Sequence, residues 1–391
     1  MLRVALGQSK MLSKPISGVL HLIVYIGFIF INIELLEIIL DGLLGTHRLF
    51  APYLGSFYNF LIGSFEILAA FVIFSVIFFW TRRNLMKIKR FWSPEMSGWP
   101  KRDADIILYF EIILMSLFLS MNSTDLLLQN LESPNYLKAG SFPISQFLTP
   151  LFNSFTQDTL IIFERTFWWL HITGILIFLN YLYYSKHLHI LLAFPNTFFA
   201  NLDPKGKFNN NKMVYREVKQ MLEPNSDPYL TNDNNPDQSK FGASDVLDLN
   251  WIQLMNSYSC TECGRCTAEC PANQTGKLLS PRKIMMDTRD RLEEVGRNIS
   301  LNGSFKDDGN ELLDNYITKE EIWACTSCNA CVEACPIGID PLSIIMEMRQ
   351  YLVLEQSSAP SDLNNMMNNI ENNGAPWPFN NQDRLLWADD N

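Results

Sequence analysis

The chain has 391 residues, 48% of them hydrophobic and 13% aromatic, and a formal net charge of −10 from 31 basic and 41 acidic side chains. That balance speaks against nucleic acid as a partner, since phosphate binding needs a basic face, and the length leaves room for two or three domains. The composition is uneven: residues 1–200 are greasy and aromatic, whereas from residue 201 the chain is polar, Asn-rich and acidic.

Four apolar stretches are long enough to cross a hydrocarbon core of about 30 Å. They cover residues 16–40, 57–80, 104–121 and 167–184, the last running on as helix toward residue 190. No cleaved signal peptide is expected, because the first apolar run is too long and no small-residue cleavage site follows it. Arg3, Lys10 and Lys14 precede the first crossing, and "TRRNLMKIKR" (81–90) with Lys101 and Arg102 follows the second. Basic loops stay on the cytoplasmic side, which predicts a cytoplasmic N-terminus and returns the chain to the cytoplasm after residue 190. Between the third and fourth crossings, "SFPISQFLTPLFNSF" (141–155) is too short and polar to span. It reads as an amphipathic segment on the outer membrane surface or as an ordinary packed loop.

All five histidines, His21, His47, His171, His187 and His189, lie in this apolar half. His171 and His189 are separated by five whole helical turns, so both point from one face of one helix, ~27 Å apart. His187 then points about 160° away. His21 lies at the depth of His189 and His47 near that of His171. Two facing imidazoles are the axial ligands of a b-type haem, so His21/His189 and His47/His171 are candidate haem pairs, with His187 an alternative to His189. Glu34, Glu37, Glu66 and Glu111 fall inside the crossings, where carboxylates are costly and often functional. They serve as proton carriers near a quinone or as side chains reaching the interface.

After a linker over 201–250, the cysteines come in two runs, "CTECGRCTAECP" (260–271) and "CTSCNACVEACP" (325–336), which hold all eight. Each reads Cys-x-x-Cys-x-x-Cys-x-x-x-Cys-Pro, the ferredoxin pattern for [4Fe–4S] clusters. The first three thiolates wrap one cubane and the fourth reaches the other. This assigns Cys260, Cys263, Cys266 and Cys335 to one cluster, and Cys325, Cys328, Cys331 and Cys270 to the second. The proline after each fourth cysteine fits a chain entering a helix. Zinc and disulfides are the rival readings of clustered thiols, and the doubled four-cysteine run disfavours both. The stretch between the runs, about 278–321, predicts helices, with Ser280 as a cap and Pro281 at the first helical position. The fold class is therefore mainly α. A four-helix membrane domain (1–200) is followed by a helical ferredoxin domain (251–355) with two cubane clusters and a polar docking tail (356–391).

The doubled motif with its helical insertion resembles the iron–sulfur subunit of heterodisulfide reductase and the related subunit of anaerobic glycerol-3-phosphate dehydrogenase. The membrane half, with "WWLHITGILIFLNYLYYSKHLHI" (168–190), resembles the haem-bearing gamma subunit of respiratory nitrate reductase as found fused to such domains. In larger members a cysteine-rich domain with CCG motifs carries the catalytic site, and "GAPWPFNNQDRLLWADD" (374–390) is similar to the stretch that precedes it. The resemblance implies a membrane-bound electron-transfer subunit with two [4Fe–4S] clusters, one or two haem b and access to quinone. Catalysis would then rest on a separate CCG-domain subunit or flavoprotein. A membrane-bound redox sensor or anchor is the alternative, and haem content separates the two.

Overall fold

In the computed structural model, described for residues 1–204, 206–208, 210–223 and 240–389, the chain is helical throughout and forms two compact units. One comprises Met1–Phe198 together with Tyr258–Gly264, the other Phe199–Ser257 with Arg265–Asn391.

Four helices of the first unit are long and apolar enough to cross a membrane: α1 (Pro15–Leu44), α2 (Ser56–Asn84), α3 (Trp99–Asn130) and α4 (Gln157–Tyr181). Their ends follow from local chemistry. Pro15 opens α1, where its missing N–H costs nothing. Gly45 closes α1 in the left-handed conformation (φ 69°), its N–H bonding the carbonyl of Asp41. Arg82 and Arg83 sit in the last turn of α2, where cations oppose the negative end of the helix dipole. Glycines let the helices approach. A Cβ on Gly27 would stand 2.8 Å from Val72, one on Gly42 2.8 Å from Trp168, and one on Gly174 2.8 Å from Leu114. These contacts join α1 to α2 and to α4, and α4 to α3, in the manner of membrane helices packing through small residues. The core between them includes Ile38, Tyr58, Phe65, Phe118 and Ile172, while Phe28, Phe60, Phe74, Ile113 and Leu176 face outward.

One expectation is overturned and one alternative is decided. The fourth crossing does not run on as one helix to residue 190. α4 ends at Tyr181, a 3₁₀ turn follows to Tyr184, Ser185 is extended (φ −113°, ψ 150°), and α5 (His189–Phe198) begins anew. The cause is Asp103 of α3, a buried carboxylate that needs donors. It accepts from the Tyr181 hydroxyl at the end of α4 (2.5 Å), and from the Ser185 hydroxyl (2.7 Å) and the Lys186 N–H (3.1 Å) where the chain has left the helix. His171 and His189 therefore stand on different helices and share no helical face. The segment 141–155 is a packed loop of two 3₁₀ turns rather than an amphipathic helix. Phe142 enters the core, and the amides of Ile144 and Ser145 donate to Glu66 at 2.9 and 3.1 Å, though Phe147 and Leu151 stay exposed.

In the second unit, α6 (Lys212–Leu222) precedes α7 (Trp251–Ser259), whose last two residues belong to the first unit. Of the expected linker, residues 224–239 lie outside the described residues. Residues 240–250 belong to the folded unit: Gly242 (φ 74°) lies against the Glu347 carbonyl with no room for a side chain, and the Ala243 N–H bonds that carbonyl at 3.1 Å. The insertion forms α8 (Pro281–Asn302), with Ser280 accepting from the Lys283 N–H at 3.4 Å and Pro281 at its start. A Thr318/Glu321 capping box starts α9 (Lys319–Trp323), and Asp340 caps α10 (Pro341–Leu354). Arg291 of α8 is fully buried between Asp245 (2.8 Å) and Asp308 (2.7 Å), a pair of acids that offsets the desolvation of the cation. α11 (Ser361–Asn373) buries none of its residues.

Candidate metal centres

Both cysteine runs fold as the same loop. Glu262 (φ 56°) and Gly264 (φ 69°) are left-handed in the first, and Ser327 (φ 55°) and Asn329 (φ 59°) occupy the equivalent positions of the second. Alternating right- and left-handed residues turn successive backbone N–H groups toward one concavity, the kind of nest that binds anions and iron–sulfur groups. The Ser327 N–H points at the Cys325 sulfur (3.4 Å), the charge-tuning contact such a centre uses. Donor set and loop thus fit a thiolate-held cluster.

The fourth cysteine of the first run comes to the second run. Cys270 is an electrostatic neighbour of both Cys325 and Cys331, and Cys328 is a neighbour of Cys325. Within the second unit, the one-turn helices Arg265–Ala268 and Ala330–Ala334, one from each run, pack together. Burial pushes the Cys331 thiol up to about 12, with Cys325, Asp340 and Cys270 adding to the effect. Burial raises Cys325 as well, against the Ser327 amide and the Arg349 guanidinium. Apolar surroundings thus hold these thiols neutral until a metal displaces their protons.

The prolines behave differently in the two runs. Pro271 opens a helical turn, Pro271–Gln274, with Cys270 at its cap. After Cys335, however, Pro336 leads into a turn ending at left-handed Gly338 (φ 71°), and helix resumes only at Pro341. Gly338 can adopt that conformation without strain, so the turn is cheaper there than a helix start.

The membrane histidines gather in part. His187 and His189 lie with ring centroids 5.3 Å apart, and His21 is an electrostatic neighbour of His187. His171 Nδ1 is 3.0 Å from the Leu114 carbonyl and His189 Nδ1 is 3.1 Å from that of Lys186. A carbonyl only accepts, so in both rings Nδ1 donates and Nε2 keeps its lone pair, the tautomer of a metal-ligating histidine. The His47 ring packs tilted against Tyr136 (centroids 4.8 Å apart) with Nε2 3.5 Å from Asp125. His187 Nε2 lies 3.9 Å from Glu111. His171 and His189 thus each leave Nε2 free to act as a metal donor. Of the carboxylates, Glu37 accepts from the Phe50 N–H and Tyr58, and Glu66 from Asn122 and two loop amides.

Residues 259–339 match the family of the 4Fe-4S dicluster domain. The eight thiols all lie within this match, which supports two [4Fe–4S] clusters. Over 98% of its length the chain is 28% identical to a probable iron-sulfur-binding oxidoreductase, FadF, of Bacillus subtilis, and covers 54% of that protein. It is 26% identical, again over 98% of its length, to an EtfAB:quinone oxidoreductase of Syntrophomonas wolfei, 52% of which is covered. A 32% identity to a probable membrane-anchored ferredoxin of Chromohalobacter salexigens extends over 38% of the chain and 24% of the relative. The chain thus spans about half the length of the two curated relatives it matches end to end. No solved structure matches it. Its relatives are iron–sulfur oxidoreductases and heterodisulfide reductase subunits.

Residues around the first loop and beside the second make contacts that spacing did not announce. Glu262, inside the first loop, is 3% exposed and pairs with Lys186. Arg349 reaches from α10 to the carbonyls of Ile322 (2.8 Å) and Cys325 and to Ser327 (3.3 Å), over the Trp323 ring. Gly264 and Asn329, residue types that tolerate a left-handed backbone, were the readable sign of the nest. Lys186 and Arg349 gave none, since each acts across a fold contact.

Proposed function

We propose that the chain is a membrane-anchored electron-transfer subunit. It would pass electrons between a cytoplasmic CCG-domain or flavoprotein partner and the quinone pool, through two [4Fe–4S] clusters and b-type haem. The observation that carries this reading is the first cysteine loop, Tyr258–Gly264, folding into the same compact unit as the four membrane helices. A conductor needs its cluster loop beside the membrane helices, and haem content separates it from a membrane-bound sensor or anchor. The relatives named for quinone oxidoreduction and for membrane anchoring support it further.

In this reading one cluster takes Cys260, Cys263, Cys266 and Cys335, the other Cys325, Cys328, Cys331 and Cys270, and the two together supply single-electron chemistry. The chain's own residues do the rest: nest amides and Arg349 offset cluster charge, and the Lys186–Glu262 pair holds the first loop at the ends of the membrane helices. His21 and His189, with His187 close by, would hold one haem; His47 and His171 are offered for a second. The basic loops favour an N-terminus and clusters on the cytoplasmic side. The deciding measurement is a pyridine haemochrome spectrum of the purified chain with iron and sulfide assays. About eight non-haem irons and eight acid-labile sulfides per chain, plus haem b, are expected. Clusters without haem would leave the sensor or anchor reading, and stoichiometric zinc would overturn both.

A further inference from the structure

The chain as a whole is acidic, yet residues 81–102, which lead from the end of α2 into α3, carry seven Lys or Arg and a single acid, Glu95. Two of the cations are engaged. Arg83 is buried, with Nε 3.8 Å from Asp105 and Nη2 donating to the Pro100 carbonyl at 3.4 Å, and Arg90 lies 5.0 Å from the centre of the Phe91 ring. The other five, Arg82, Lys87, Lys89, Lys101 and Arg102, form no ion pair among the described residues. The segment that carries them is nevertheless built. The Trp92 indole N–H donates to the Arg83 carbonyl at 2.9 Å and fixes the ring, and the ammoniums of Lys101 and Lys87 stand 3.7 and 5.3 Å from its centroid. Met96 of the same segment is buried, whereas Trp92 and Trp99 are 44% and 51% exposed.

Like charges gathered without counter-ions repel one another, so an anion that meets them is held by all of them. Position tells which anion. α2 and α3 are both long and apolar enough to cross a membrane, so the segment between them lies at a membrane surface. Trp80 donates to the Tyr109 hydroxyl at 3.1 Å, joining α2 to α3 through two side chains of the kind that settle at headgroup level. Phe74 and Ile77 of α2 and Ile113 of α3 face outward beyond them, where acyl chains run. We propose that this segment binds an anionic phospholipid, with the headgroup phosphate on the Lys87 and Lys101 ammoniums beside Trp92 and the acyl chains along the outer faces of α2 and α3. A zwitterionic lipid has the same chains but no net charge for the lysines to meet. An acidic polypeptide would meet the charge and leave the outward apolar side chains unused. The same corner carries Pro100, whose carbonyl accepts from Arg83 and from Lys186 at 2.6 Å. A lipid that holds Lys101 therefore steadies the carbonyl to which the Lys186–Glu262 pair is tied. The site stands whether or not the chain carries electrons.

The test uses the full chain in detergent, mixed with micelles that contain either dioleoyl phosphatidylglycerol or dioleoyl phosphatidylcholine, and counts the lipids retained by native mass spectrometry. Wild type retains phosphatidylglycerol in preference to phosphatidylcholine, and the retained lipid raises its melting temperature. The double variant Lys87→Gln, Lys101→Gln binds phosphatidylglycerol about thirtyfold more weakly, the loss of two cations at a membrane surface, and gains no melting temperature from it. Lys138→Gln, which removes an exposed lysine beyond the other end of α3, binds as wild type does. An elution profile matching wild type shows that each variant folds. Equal retention of the two lipids, or a folded double variant that binds as wild type, overturns the site. So does an equal loss in Lys138→Gln, which would make the effect one of overall charge. Displacement of the lipid by millimolar inorganic phosphate would make it a site for a free anion, and a wild type that retains neither lipid would leave the cations to an acidic polypeptide; both overturn the proposal.

Discussion

The Lys186 ammonium and the Glu262 carboxylate form a buried ion pair within one compact unit, with side chains 8% and 2% exposed. Lys186 follows the broken end of the fourth membrane helix and also donates to the Pro100 carbonyl at 2.6 Å, whereas Glu262 stands between Cys260 and Cys263. A cluster loop is thereby pinned to the membrane helices by a charge pair. Removing one partner of such a pair strands a buried charge at a cost of about 3–5 kcal/mol, while removing both is far milder. Glu262→Gln and Lys186→Met should each lower the melting temperature and cluster content, and the double variant should recover part of both. Strictly additive losses would show that the pair does not hold the loop.

The proximity of Cys270 to Cys325 and Cys331 gives the crossed ligation a direct check. Cys270→Ala and Cys325→Ala should abolish the same EPR signal, and Cys260→Ala the other one. If Cys270→Ala instead silences the signal lost in Cys260→Ala, each run ligates its own cluster.

Arg349 places a guanidinium beside Cys325 and hydrogen-bonds its carbonyl. A positive charge favours the reduced, more negative state of a neighbouring cluster. Arg349→Gln should therefore move the reduction potential of the Cys325 cluster to more negative values while the other cluster stays put. A redox titration followed by EPR measures it; an unchanged potential or an upward shift contradicts the role.

Much of the fold was legible because its signals are local. Crossing length, the cap at Ser280 and the doubled cysteine spacing each rest on neighbours in sequence. What escaped depends on contacts between distant residues. Asp103 takes donors from Tyr181, Ser185 and Lys186 where the fourth helix breaks, and nothing around residue 185 announces a carboxylate that lies 82 positions away. The repeated left-handed positions of the cluster loops were half visible, through Gly264 and Asn329, and half hidden in Glu262 and Ser327. For the same reason Glu34 and Glu66 looked alike in sequence. Only the fold gives Glu66 three donors and leaves an oxygen of Glu34 without one.

Burial raises the Asp287 carboxyl to about 6, against the pull of Lys283 at 2.8 Å. The unfolded value is about 3.9, so the folded chain holds this proton more tightly. The resulting stability is fully present below about pH 4, declines as pH rises toward 6, and is gone above it. Thermal unfolding of the full chain should thus show a gain between pH 7 and pH 5 that Asp287→Asn abolishes. A slope unaltered by that substitution would assign the pH dependence to other groups.

The haem pairing is the prediction that the broken fourth helix most affects. His21 and His189 were matched by depth, and the loss of the shared helix face removes one leg of that argument. Two others remain. His189 presents Nε2 with Nδ1 donating to the Lys186 carbonyl, and His21 lies beside the His187/His189 pair. His21→Ala and His189→Ala should each remove the same haem, leaving any haem held by His171 in place. His187→Ala should spare it, because the Nε2 of that ring already faces Glu111 at 3.9 Å. Both iron–sulfur clusters should survive all three changes, since every histidine lies in the membrane half. Reduced-minus-oxidised spectra of the variants decide the matter. A haem band untouched by His189→Ala but lost in His187→Ala would make His187 the ligand, with the rings of the two histidines exchanging roles across their 5.3 Å contact.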